Sequence, residues 1–341
     1  MDTEQTGTNR FNRRGFLQIV AVAGAAAACW KFGLFGSAKP IQVARRSQPI
    51  MGTVLNLTVY GPDQDSCEEA LNQTIATMKT LEGRLSRHMP DSELSELNKT
   101  SILEHPGEDI LNVLTLAQDL SRKSSGAFDV TILPLLYLHE RIRGANDHPD
   151  SQLLLSAQKL VNYENLQLSD KSVRLAQAGM GISLDGIGKG YIVDQGVTTL
   201  RSLGFNNVYV EAGGDLMVSG QKEDKDPWRI GLRNPRPQQK QDLITIAVSD
   251  KAVATSGDYL QAFTPDLKNH HIIDPRSGFS PPELASCTVT APNVALADGL
   301  ATAIMVLGKN DALDLIEPMK GCEAYMVDKN LQHFNTSGFF S

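Results

Sequence analysis

Between Leu55 and Leu85 the apolar spacing changes from every second residue to every third or fourth. Leu55, Leu57 and Val59 alternate with polar residues, the period of a half-buried strand. Leu71, Ile75, Met78, Leu81 and Leu85 then follow helical spacing, with charged residues between them. A chain that switches period in this way has to pack helices against a sheet. Further segments repeat both patterns. Helical spacing recurs over 108–125, through Ile110, Val113, Leu114, Ala117 and Leu120, and again from Lys189 through Val193, Val197 and Leu200. Residues 207–211, 243–248, 285–291 and 324–327 read as extended, and a last helix is expected from about Ala295 to Gly308, where a glycine is placed to end it. Short strands among helices and turns predict an α+β domain, and no break in composition divides it.

The first residues stand apart from this pattern. Asn12-Arg13-Arg14-Gly15-Phe16-Leu17 carries paired arginines, and an apolar run of small residues follows to Ala28. Basic region, short apolar run and small residues together read as an export signal of the twin-arginine type over 1–36. The run is shorter than the ~20 residues that span a bilayer. A plain N-terminal membrane anchor is the competing reading, and Cys29 after Ala26-Ala27-Ala28 also resembles a lipoprotein cleavage site. Residues 31–47 mix Gly, Pro, Lys and Arg and read as a linker, 37–47 once the signal is set aside. Cys67, Cys287 and Cys322 are too widely spaced for a zinc motif and read as buried thiols, although two of them could pair in an exported protein. The net charge of −7, with no basic stripe, argues against a nucleic-acid binder.

Five segments can carry chemistry. Gly181-Ile-Ser-Leu-Asp-Gly-Ile-Gly-Lys-Gly-Tyr191 runs into a helix; such a turn presents amides to a phosphate, and Lys189 can add a point charge. It is also what a tight turn into a helix looks like. Glu211-Ala-Gly-Gly-Asp215 reads as a hairpin turn that can expose a carboxylate. Asp298 and Thr302 lie four apart on the last helix, so a carboxylate and a hydroxyl share one face. Two hard oxygen donors suit Mg²⁺, which completes its shell with waters and phosphates; a first-turn helix charge and an inward threonine explain them equally well. His270-His271-Ile-Ile-Asp274-Pro-Arg-Ser-Gly278 ends in a strong turn signal. A histidine there can take a proton near neutral pH. On a strand only one of two adjacent histidines faces a site. Ala254-Thr-Ser-Gly-Asp-Tyr259 places small polar residues at a strand end.

In this order, and together with Pro49-Ile-Met-Gly-Thr53, the segment from Leu85-Ser-Arg-His to Asn98, Gly126-Ala-Phe-Asp129 and Thr336-Ser-Gly-Phe339, these segments resemble the FAD:protein FMN transferase family, also called ApbE. The resemblance implies an α+β fold of mixed sheets with packed helices, a T-fold-like single large domain over 48–341. It implies a reaction in which FAD binds with Mg²⁺ and a threonine or serine hydroxyl of an acceptor flavoprotein attacks the FMN-side phosphorus, releasing AMP. It implies FAD contacts at Met51, His88, Ala127, Phe128, Asp129, Ser183, Lys189 and Ile273. Gly186 would give a backbone carbonyl to Mg²⁺ beside Asp298 and Thr302, and His271 would be the base, with Asp258 and Asp215 in supporting roles. His88 stands where an aromatic is common, Ser183 where an acid is frequent, and Leu260-Gln261 where a basic residue is frequent. The acceptor is expected on an exported or membrane-facing redox complex, the enzyme in the periplasm. An FAD pyrophosphatase remains open, since the same Mg²⁺ site would serve it; a non-catalytic exported flavin binder is a further alternative, against which the intact Asp298, Thr302 and His271 argue.

Overall fold

The computed structural model describes residues 41–142, 149–222, 226–238 and 244–341. The export signal, the apolar run and Cys29 lie outside the described residues. Residues 41–341 make one compact unit.

The chain opens with strand β1 (Gln42–Ile50), which pairs antiparallel with β2 (Thr53–Gly61) through the tight turn at Met51 and Gly52. This corrects the linker reading: residues 42–47 are strand. Only Ala44 and Ile50 of β1 are fully buried, and Arg45 and Arg46 occupy its middle. A charged edge strand shows little apolar alternation, because its charges guard the open edge. In β2 the expected alternation holds, with Leu55, Leu57 and Val59 buried.

Helix α1 (Gln64–Leu85) starts at Asp63, whose carboxylate accepts from the Ser66 amide at 2.8 Å. Then come α2 (Glu93–Thr100), β3 (Ile102–Glu104), α3 (Glu108–Lys123), α4 (Leu133–Arg141), α5 (Ser151–Gln158), β4 (Leu166–Leu168) and β5 (Ser172–Leu175). Helix α6 (Gly188–Ser202) leads into β6 (Asn207–Ala212) and β7 (Asp215–Ser219). The chain ends with β8 (Trp228–Gly231), β9 (Thr245–Val248), β10 (Lys251–Gly257), β11 (Leu284–Ala291), α7 (Val294–Ile316), β12 (Glu323–Asp328) and β13 (His333–Asn335). The expected strands at 207–211, 285–291 and 324–327 are present; of 243–248, residue 243 is outside the described set.

The main sheet has eight strands in the order β1-β2-β6-β7-β10-β11-β12-β13, every pairing antiparallel. Its two faces sort the side chains by parity. Met217, Ala252, Ala254, Ala324 and Met326 join the large core with α1, α6 and α7. Their neighbours Leu216, Val218, Val253, Tyr325 and Val327 face the other way, onto Trp228, Ile246 and Val248 of the β8–β9 ribbon. A third cluster unites Leu133, Leu135 and Leu136 of α4, Leu154 of α5 and Ile273.

Helix α7 is buried nearly all round, because β10, β11, α3 and α6 surround it. The first helical stretch of α7 ends at Gly308 as expected, where φ 75° and ψ 177° leave helical geometry, and a second stretch runs on from there to Ile316. Ala312 and Ile316 carry the buried stripe past the break.

Candidate active site

Helices α6 and α7 meet more closely than most helix pairs allow. A Cβ on Gly190 would lie 2.5 Å from the Val294 carbonyl oxygen, so only glycine permits this approach. The contact is reinforced by Asp194 of α6, whose two oxygens accept from the Val294 and Ala295 amides at 2.8 and 2.9 Å. One side chain thereby caps the helix that carries Asp298 and Thr302.

At this junction the glycine-rich turn, the hairpin and α7 bring their charges together. Lys189 Nζ lies 2.8 Å from Asp215 Oδ2 and 3.6 Å from Asp298 Oδ2. The Gly190 amide donates to Asp298 Oδ2 at 3.2 Å. The hairpin reading of the 211–215 segment holds, with Gly213 and Gly214 at φ 65° and 103° making the β6–β7 turn, but Asp215 is buried against Lys189 rather than exposed. Burial and the neighbouring Asp215 push Asp298 up to about 7, against the opposing pull of Lys189 and the Gly190 amide. The two carboxylates hold the Lys189 ammonium well above its ordinary value.

One turn along α7, Thr302 Oγ1 lies 3.3 Å from Ser256 Oγ of β10. A Cβ on Gly186 would stand 3.0 Å from Thr302 Oγ1 and 3.4 Å from the Phe128 ring, so the bare Gly186 backbone sits against both. The donors fit a hard divalent cation. Asp298 is raised because one lysine does not compensate two buried carboxylates, so further positive charge would be favoured there. Among the described residues no group of three or more His, Cys, Asp or Glu could hold a metal. A cation here would therefore rely on one carboxylate, hydroxyl and carbonyl oxygens and a ligand's phosphates, the habit of Mg²⁺.

The 270–278 segment is a loop, not the strand expected for the histidine pair; only the isolated bridge Ala262↔His270 has strand character. The His271 amide donates to the Gln261 carbonyl at 3.1 Å. Burial and the Lys189 charge lower His271 to about 4, so its ring is neutral near pH 7. His270 is fully buried, and burial followed by the His271 and Lys329 charges lowers it to about 3.

The remaining expected contacts surround this centre unevenly. Phe128 touches the Gly186 turn, and Ala127 is buried beside it. Asp129 spends both oxygens within the protein, on the Thr131 amide and hydroxyl at 2.8 and 2.7 Å and on the Tyr163 amide at 2.9 Å. Ser183 receives the Asp185 amide at its hydroxyl and donates its own amide to Val130. Ile273 is buried among the α4 and α5 leucines. Met51 forms the β1–β2 turn, its amide donating to Glu82 at 2.7 Å, and His88 is exposed. Asp258 is fully buried and paired through both oxygens with Arg236, at 2.9 and 2.7 Å.

Several residues escaped the sequence reading. Arg87, just before His88, has a side chain only 8% exposed, pinned to Asp185 at 2.9 Å and Glu140 at 2.8 Å. Asp194, Arg236 and His139 are likewise positioned by distant partners. No local pattern marks such pairs, because the partner of Arg87 lies 98 residues away.

The ApbE family model matches residues 51–326. The chain belongs to the ApbE family. An ApbE-family relative named FAD:protein FMN transferase, from Vibrio cholerae, is 30% identical over 83% of this chain and 87% of that protein. Another of that name, from Haemophilus influenzae, is 29% identical over 87% of this chain and 90% of its own. Among solved structures, the flavin transferase ApbE from Vibrio cholerae superposes with a TM-score of 0.78 at 28% identity, covering 88% of this chain and 99% of that one. The ApbE protein from Thermotoga maritima gives 0.78 at 28% identity, covering 87% and 98%. The α+β expectation agrees with these ApbE structures, with seven helices and antiparallel sheets among the described residues.

Proposed function

We propose that this protein is a FAD:protein FMN transferase that moves FMN from FAD to a threonine or serine hydroxyl of an acceptor flavoprotein and releases AMP. The observation that carries this reading is the convergence of Asp298, Thr302, Gly186 and Lys189 at the start of α6, in a chain of the ApbE family. Transfer forms an oxygen–phosphorus bond from the acceptor hydroxyl and breaks the bond to the bridging oxygen, which leaves with AMP. Such a displacement asks the protein mainly to position and to stabilise charge.

Asp298, Thr302 and the Gly186 backbone would hold Mg²⁺, whose charge stabilises the pyrophosphate as the bond to AMP breaks. The α6 amides and Lys189 face the same phosphates, a helix N-terminus being suited to negative charge. Phe128 and Ile273 shape apolar walls, while Asp129 and Ser183 hold the segments next to Phe128 and Gly186. Met51 and His88 would meet the flavin or adenine. His271, neutral near pH 7, takes the proton from the acceptor hydroxyl oxygen. Phosphate charge nearby raises its basicity on binding.

The twin-arginine segment supports export, with work in the periplasm and a possible tether at Cys29 or the apolar run. No described helix is long and apolar enough to cross a membrane. Incubating the protein with FAD, Mg²⁺ and a candidate acceptor domain, and assaying AMP, tests the reading. AMP release that requires the acceptor supports it; equal release without acceptor, with free FMN, would replace it by a pyrophosphatase.

A further inference from the structure

Two halves of the site come from different places in the chain: the Gly181–Tyr191 turn and the His271–Gly278 loop. Helix α4 touches both. Before its first turn, Ile132 bridges to Gly181, and the Ser183 amide donates to the Val130 carbonyl at 2.8 Å. Near its far end, Glu140 holds Arg87 at 2.8 Å, and Arg87 holds Asp185, the residue before Gly186, at 2.9 Å.

The neighbouring residue reaches the other half. His139 is buried, 3% exposed, and its Nε2 donates to the Gly278 carbonyl at 2.8 Å. Its ring stacks at 6.3 Å on Phe263 and meets Phe279 edge-on at 6.1 Å. Gly278 in turn closes the loop: its amide donates to the Asp274 carbonyl at 2.8 Å, and the Asp274 amide donates to Phe279 at 2.9 Å. Ile273 packs into the α4–α5 leucine cluster.

We propose that α4 is a strut that sets the distance between the Gly186 turn and His271, with His139 and Glu140 as its positioning residues. This rests on reading both segments as one transfer site. His139 touches no reacting atom; it acts by fixing a loop 139 residues away in sequence. A buried carbonyl stripped of its donor loosens the loop that carries it. Because a displacement of about 1 Å in a positioned site can cost 100-fold in rate, the loss should appear in kcat.

The test uses the full chain. Amide exchange in the ligand-free protein is measured for wild type, His139→Leu, His139→Gln and Glu140→Gln, with β11 amides as the reference for global opening. Glutamine keeps an N–H donor near the position of Nε2. The strut predicts that His139→Leu accelerates exchange at Asp274 and Gly278 about 10-fold or more while β11 is unchanged. It also predicts a fall in kcat of about 10-fold or more with KM for FAD within about 3-fold, and substantial recovery in His139→Gln. Glu140→Gln should lower kcat, and its effect should not multiply with that of His139→Leu, since both remove one register. Unchanged exchange and kcat in His139→Leu would overturn the strut, as would equal losses in kcat and FAD affinity or no recovery with glutamine. Protected loop amides in a wild-type chain that transfers no FMN would count against the functional reading and leave the strut supported, because exchange is read without FAD.

Discussion

Asp298 is the residue on which the metal proposal turns, and its environment makes the expectation specific. Its carboxylate is buried, under-compensated and one turn from Thr302. Asp298→Ala should lower Mg²⁺-supported AMP release by about 100-fold or more while FAD binding, followed by flavin fluorescence, persists; full activity would remove Asp298 from the metal site. His271→Ala should slow transfer by about 100-fold, the scale of a lost general base, with a smaller change in FAD affinity. His270 gives a different prediction, about stability. Its folded value of about 3 lies below the ordinary 6.5, so between these values the unfolded chain binds more protons. Stability from this group is therefore complete above about pH 6.5 and falls as pH drops toward 3, by up to ~1.4 kcal/mol per pH unit. Denaturant titrations of wild type and His270→Phe should diverge in slope across that window; parallel curves would show that His270 is not buried neutral.

At the scale of elements, the α6–α7 contact carries the site. Gly190→Ala drives a methyl into the Val294 carbonyl, so the helices must part. A cost of about 1–3 kcal/mol, read as a lower melting temperature, is expected for such overpacking. An unchanged Tm and activity would mean that the contact is looser than 2.5 Å suggests. The sequence displayed these helices because their apolar faces repeat, and it displayed Asp298 and Thr302 because four residues is one helical turn. It also displayed the hairpin, where positive φ at Gly213 and Gly214 selects glycine, and the glycine turn, where close approach at Gly186 and Gly190 does. It did not display β1, whose arginines guard an edge, or the second helical stretch that follows the break at Gly308. Nor did it display Arg87, Asp194 or His139, whose roles exist only through partners remote in sequence. The five-segment order was legible as a family pattern, while the pairing of Asp129 with Thr131 and Tyr163 became visible only once the chain was folded.

For the whole molecule, the eight-stranded sheet separates two jobs. One face is packed with helices and holds the site at their junction; the other is closed by the β8–β9 ribbon and aromatic residues. Since residues 41–341 form one unit, a chain starting at Ile41 should unfold cooperatively with the stability of the full chain. Starting at Gln48 instead removes most of β1 and should lower Tm; an equal Tm would show that this edge strand contributes nothing. The central claim, that the unit transfers FMN to protein, is tested most directly by the intact mass of an acceptor flavoprotein domain after incubation with this enzyme, FAD and Mg²⁺. The account predicts a gain of one FMN, abolished by a chelator and by Asp298→Ala. An acceptor of unchanged mass alongside free FMN and AMP would contradict it.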